Sequence, residues 1–164
     1  MKFSEEHVTR SVARCLVTEG WEIISVHPPD GQGPFVIPRP PNARDIERSS
    51  YHPDIVAIRP KEGSGAEVII VECKLNFADL NDDRDKLTNI AASRFSLLFI
   101  LFRCQSFANG PRVGIDYETV KSLATDELPI QFGLAAHAEH DSVNSSTISG
   151  FPCTTFLFSR KSLS

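Results

Sequence analysis

The chain lacks the long apolar runs of a membrane protein: none of its hydrophobic stretches approaches the roughly 18 residues that a span requires. Its opening residues, Met1-Lys2-Phe3-Ser4-Glu5-Glu6, have no signal-peptide character. A cytoplasmic protein with no membrane partner is therefore expected. Cysteine is sparse, and Cys15, Cys73, Cys104 and Cys153 form no CxxC pair, which argues against a zinc ribbon. Reduced cysteines in apolar segments pack as small hydrophobes. No P-loop, GxGxxG turn or nucleophile elbow is present, so neither nucleotide binding nor a serine hydrolase has a basis in sequence motifs. Nor is positive charge in excess. With a formal net charge of −4, a broad basic surface for nucleic acid is disfavoured, whereas a local basic groove is not.

What is present suits one domain. A length of 164 residues fills a single core, and an apolar fraction of 41% against 23% charged is ordinary for a globular chain. Ser4 is a candidate N-cap for a helix in which Val8, Val12, Cys15 and Leu16 recur at helical spacing, with Gly20 as its stop. Trp21 to Val26 reads as a strand. From His27 to Tyr51 the composition turns to Pro, Gly and Arg, a long connection carrying Arg39, Arg44 and Arg48. After the strand pair described next, Asp82 or Asp83 opens a helix with Leu87, Ile90 and Ala91 on its buried side, ending near Phe95. Ser96 to Phe102 is a continuous apolar run of strand length, suited to a strand covered on both faces. Further on, Asp116 to Ala124 reads as a short helix and Pro129 to Leu134 and Thr154 to Phe158 as strands. Asp141 to Gly150, rich in Ser, Thr and Asn, reads as a loop.

The most informative stretch runs from Pro53 to Lys74. Pro53-Asp54-Ile55-Val56-Ala57-Ile58 and Val68-Ile69-Ile70-Val71-Glu72-Cys73-Lys74 flank a reversing segment, Pro60 to Ala66, punctuated by Gly and Pro. Gly63 is the midpoint of Asp54 and Glu72. An antiparallel hairpin with its turn there sets the two acids close to directly opposite each other. Alternation along the strand puts Glu72 and Lys74 on one face and Cys73 on the other. Two acids and an amine then converge at one end of an apolar sheet, an arrangement suited to a hard divalent cation and a reacting phosphate.

Pro53-Asp54 followed by Glu72-Cys73-Lys74 at the end of an apolar strand resembles the PD-(D/E)xK nuclease superfamily, and is similar in these motifs to archaeal Holliday-junction resolvases. The resemblance implies a restriction-endonuclease-like α/β fold, a mixed central sheet flanked by helices in the order α-β-β-β-α-β. On this reading the core covers about residues 4–103 and a C-terminal extension about 104–164. It implies Mg²⁺- or Mn²⁺-dependent phosphodiester hydrolysis, foremost of DNA, with Asp54, Glu72 and the Cys73 backbone carbonyl as metal ligands. Lys74 is then the residue that assists the attacking water. Members of the superfamily often carry a further glutamate on the first helix, a role for which Glu5 and Glu6 compete. At about 100° per residue Glu5 lies near the edge of the apolar stripe and Glu6 points away, so Glu5 is taken as the catalytic acid. First-turn acids also favour the helix dipole, which accounts for both residues without any catalytic role.

Other readings stay open. The same fold serves as a non-catalytic module that binds nucleic acid or a protein, and an acidic nuclease would bind through a homodimer, a partner or a few placed cations. Arg84 and Lys86 on the second helix read as an exposed face, with substrate contact as the alternative. His52, beside Pro53-Asp54, reads as a loop histidine. His137-Ala138-Glu139-His140-Asp141 lacks the spacing of a helical HExxH metal motif.

Overall fold

The computed structural model describes residues 2–27, 35–40, 50–61, 65–107 and 115–163. Helix α1 (Glu5–Thr18) buries Val8, Val12 and Leu16. At its start the His7 ring turns back so that Nδ1 accepts the Ser4 backbone N–H at 3.2 Å. Gly20 follows its end at φ +89°, a left-handed conformation that glycine adopts without the Cβ clash. Strand β1 (Glu22–Val26) comes next, then two short paired segments, β2 (Ile37–Pro38) and β3 (Ser50–Tyr51). Strands β4 (Ile55–Pro60) and β5 (Ala66–Asn76) form the antiparallel pair, with Ile55 opposite Val71 and Ile58 opposite Val68.

Three helices then precede the next strand: α2 (Leu80–Ala91), α3 (Arg94–Phe107) and α4 (Tyr117–Ser122). Strands β6 (Ile130–His137), β7 (Ser142–Ile148) and β8 (Phe151–Phe158) follow, and α5 (Arg160–Leu163) ends the described chain. The protein is α/β, with a six-stranded mixed sheet in the order β1-β4-β5-β6-β8-β7. β5, β6 and β8 run parallel in its centre, and the flanking pairs are antiparallel. Both faces are covered. On one, Val56, Val68, Ile70, Phe132 and Leu134 pack with Leu87, Leu97 and Ile100 from α2 and α3. On the other, Ile55, Ile69, Val71, Cys73 and Ala135 pack with Val8, Val12 and Leu16 from α1. A strand buried on both faces needs apolar residues at every position, which is why β5 reads as an unbroken hydrophobic run up to Glu72.

Two expectations are corrected here. The run Ser96 to Phe102 is helical, not a strand. Leu97, Ile100, Leu101 and Cys104 are its buried residues, spaced i, i+3, i+4 and i+7, and the apolar residues between them conceal that period. Ser93 breaks the chain between α2 and α3 by accepting the Ser96 N–H on its Oγ at 3.2 Å, so the helix expected to reach Phe95 stops at Ala91. The strand that pairs with β5 is therefore β6, from residues 130–137, and the sheet core extends well past the expected limit of 103.

The second correction is Asp141 to Gly150, which is not a loop. β7 is an edge strand hydrogen-bonded along β8, closed by a two-residue turn at Ser149 (φ 50°) and Gly150 (φ 86°). Its Ser, Thr and Asn side chains are mostly exposed, so the backbone ladder rather than side-chain burial holds it in place. No single helix among the described residues is long and apolar enough to cross a membrane.

Candidate active site at the carboxyl end of strand β5

The antiparallel pairing reaches Ile55 and Val71, and Asp54 and Glu72 are the next residue on each side, in line with the register expected from the sequence. Residues opposite one another in an antiparallel pair have Cβ atoms about 4.5–5.5 Å apart. Asp54 also reaches across the pair: the Cys73 backbone N–H donates to its Oδ2 at 2.7 Å. That bond anchors the carboxylate to β5 and leaves its second oxygen for other partners. Cys73 itself is buried on the α1 face, while Glu72 and Lys74 turn toward α2. Glu72 and Cys73 pair with Leu134 and Ala135 of β6, and only beyond Cys73 does the parallel pairing shift register before resuming at Asn76 and His137.

Glu72 is only 4% exposed, and its Oε1 is buried with no hydrogen-bond partner. Burial, reinforced by Asp83, pushes its carboxyl up to about 8 against the opposing pull of Lys86 and Lys74. Asp54 is pushed up to about 6, again mainly by burial, with the Cys73 N–H opposing and the charges of Glu5 and Asp83 adding to the rise. Burial pulls the Lys74 amine down, but Asp83, Glu5, Asp54 and Glu72 together outweigh it and raise it overall.

Glu5 is half-buried, and its charge acts on Asp54, Glu72 and Lys74 alike. Glu6 is exposed and paired to Arg10 at 2.8 Å on the outer face of α1. Between the two first-turn acids, the one near the pair is Glu5.

Asp83 is the residue that sequence reasoning did not assign to the site. Its side chain is fully buried on α2, neither oxygen has a hydrogen-bond partner, and it lies 3.7 Å from Lys74 Nζ and 3.3 Å from Lys86 Nζ. Burial raises its carboxyl, and the two amines hold the rise in check. The signal available beforehand was an acid at the position of a helix that aligns with Leu87, Ile90 and Ala91, but a helix-opening aspartate has an ordinary explanation as a capping residue. Lys86 thus belongs to the site's surroundings, whereas Arg84 reaches Ser146 Oγ on β7 at 3.3 Å.

His52 has a buried Nδ1 with no partner and stacks on His27, centroids 5.2 Å apart. Burial and then His52 hold His27 below the usual histidine range. Of the three arginines of the long connection, Arg44 and Arg48 lie outside the described residues. The segment His137 to Asp141 begins at the end of β6, the strand next to β5.

Among the described residues no group of three or more His, Cys, Asp or Glu side chains is placed to hold an ion. A divalent cation would instead rest on Asp54 and Glu72, with a backbone carbonyl, waters and substrate oxygens completing its shell, the sparse protein ligation typical of Mg²⁺. The residues fit such an ion by charge. The carboxylates of Glu5, Asp54, Glu72 and Asp83 outnumber the ammonium groups of Lys74 and Lys86 by two, and the orphaned Glu72 oxygen lacks any donor.

The same charges predict an unusual dependence of stability on pH. Folding raises Asp54 from 3.8 to about 6 and Glu72 from 4.5 to about 8, so the folded state binds more protons than the unfolded state between those limits. Stability from these groups is present at low pH and is lost as pH rises through that window. In chelator-treated protein the melting temperature is expected to fall between pH 6 and 8, and Glu72→Gln to flatten the decline. A midpoint that climbs over this range, with no difference in the variant, contradicts the assignment. Added Mg²⁺ should restore more stability at pH 8 than at pH 6, because it binds the ionised carboxylates.

No family model, curated protein or solved structure matches the chain.

Proposed function

We propose that this protein is a Mg²⁺- or Mn²⁺-dependent nuclease, cleaving phosphodiester bonds in DNA foremost, with a site laid out as in the PD-(D/E)xK superfamily. One observation carries the reading: Asp54 and Glu72 meet across an antiparallel pair with Lys74 on the same face, and a buried Glu72 oxygen has no partner. A purely structural hairpin has no use for a buried, unpaired acid, which costs free energy unless something compensates it. The reading takes β6 in the role first given to residues 96–102, with α2, α3 and α4 in place of a single intervening helix and the short β2 and β3 inserted between β1 and β4.

When bound, the metal supplies Lewis-acid stabilisation of the phosphoryl oxygens and lowers the pKa of a coordinated water. Asp54 and Glu72 hold that charge at the strand end, and the Cys73 N–H fixes the Asp54 rotamer. Lys74 extends from the same strand face with 29% of its side chain exposed, so its ammonium can reach an incoming water and the phosphate. Glu5 closes the α1 side of the site and strengthens the demand for a cation.

Asp83 acts through Lys74 and not on substrate, as a positioning residue. Asp83→Asn removes the charge that holds the amine and is expected to lower cleavage by about 10–100-fold, the usual effect of losing a supporting partner. The melting temperature should hold, because the asparagine is isosteric and the two amines it releases, on part-exposed Lys74 and Lys86, can be solvated instead. Unchanged cleavage by this variant removes Asp83 from the mechanism.

The proposal is tested by incubating the protein with duplex, branched and single-stranded DNA and with RNA, with Mg²⁺, Mn²⁺ or chelator. Metal-dependent cleavage is the expected result. Nucleic-acid binding without cleavage in any metal would favour the reading as a non-catalytic binding module.

A further inference from the structure

The parallel strands β5, β6 and β8 end at one edge of the sheet, where open α/β sheets bind their ligands. Beside the β5 end, the same edge holds a cleft of about 720 Å³ formed by the ends of β6 and β8, the connection to β7 and the start of α5. Its cationic and imidazole side chains are His137, His140, Arg160 and Lys161. Its acids are Glu139 and Asp141. Asp141 accepts the Ser159 N–H and the Ser162 hydroxyl, both at 2.6 Å, and exposed Glu139 lies 3.9 Å from His140. Phe3, two residues before Glu5 in the chain, packs on the cleft's residues: it stacks on His137 with centroids 6.4 Å apart, and the Arg160 guanidinium lies 6.0 Å from its ring.

We infer that this cleft is a backbone-phosphate subsite for the nucleic-acid strand cleaved at Asp54 and Glu72, with Arg160 as its principal contact. The inference rests on the proposed function and adds the path of the strand. β5 and β8 are two strand spacings apart, roughly 10 Å. An exposed guanidinium held beside an aromatic ring suits a phosphate, which it can meet with two parallel N–H donors. Arg160 and Lys161 are balanced by Glu139 and Asp141, so the grip on a polyanion comes from the placed guanidinium and not from an excess of positive charge in the cleft.

The test is anisotropy of fluorescein-labelled single-stranded and duplex DNA and single-stranded RNA, in EDTA and at 50–200 mM salt, with wild type, Arg160→Lys and the double variant Arg160→Ala/Lys161→Ala. The double variant is expected to bind roughly tenfold more weakly, with a plot of log affinity against log salt shallower by about 1 to 2, and Arg160→Lys to keep most of the wild-type slope. Should the double variant fail to fold, Arg160→Gln alone serves, with a slope change of about 1. Unchanged affinity and slope overturn the inference, as does wild-type protein that binds none of the three probes. A subsequent Mg²⁺ assay separates this result from the function itself. Weaker binding by the variants with no wild-type cleavage keeps the subsite and removes the nuclease, whereas cleavage with unaltered binding does the reverse.

Discussion

Lys74→Ala is expected to lower metal-dependent cleavage by about 10²–10³-fold, the range seen when one group stabilising a developing anion is removed. The amine is well placed for so large an effect. It shares a strand face with Glu72, sits one residue beyond the backbone N–H that anchors Asp54, and is kept charged by the acids around it. Because it is part-exposed, and its partner Asp83 retains Lys86, the fold should survive its loss. Asp54→Ala is expected to be at least as damaging, since it deletes a carboxylate ligand and the acceptor of the Cys73 N–H together. The two losses should combine to less than their product, as they do for residues serving one step. Single-turnover rates and melting curves for wild type, each variant and the pair check this. Equal rates across the set would dismiss Asp54 and Lys74 as chemistry-bearing residues.

The second large effect concerns stability. Phe132→Ala should cost about 3–5 kcal/mol, a drop in Tm of about 6–20 °C for a chain of this size. Phe132 lies in β6, fully buried between Ile70 and Cys153 on the neighbouring strands and edge-on to Phe151, with ring centroids 5.8 Å apart. Strands on both sides prevent the sheet from closing over the void, so little of the lost volume is recovered. Phe102 is the control. It belongs to the run first read as a central strand, yet it is 55% exposed on α3, and Phe102→Ala should cost much less. Comparable losses in the two variants would mean that residues 96–102 lie in the core as a strand does, against the observed fold.

That pair of phenylalanines also shows where pattern and packing part company. A run in which every residue is apolar carries no period, so a helix with two contacting faces and a strand covered on both sides look the same. The choice at 96–102 falls to the neighbours: α2 and β2 lie against that segment, while β6 takes the place beside β5. β7 is the opposite case. Its Ser and Thr side chains have no hydrophobic face to signal a strand, and its pairing comes from the turn at Ser149-Gly150 and the exposed ladder of β8. Neither the ladder nor the buried surroundings of Asp83 can be read from a window of residues, because pairing and desolvation arrive only when the sheet closes, as where Arg84 of α2 meets Ser146 of β7, 62 positions on.

Local chemistry sufficed elsewhere. Ser4, the stripe of Val8, Val12 and Leu16, and Gly20 bound α1, since capping and periodicity act within a few residues. The Gly- and Pro-marked reversal between Pro60 and Ala66 defines the hairpin register, and alternation then sends Glu72 and Lys74 to one face and Cys73 to the other. So the acids and the amine of the site were legible in a 21-residue stretch from Asp54 to Lys74. Their environment was not. Burial of Glu72, the clasp of Asp83 on Lys74 and the cleft at Arg160 exist only because α1, α2 and the last three strands converge on one edge of the sheet. A turn fixes which residues face each other, but desolvation and long-range charge depend on what the rest of the chain folds against them.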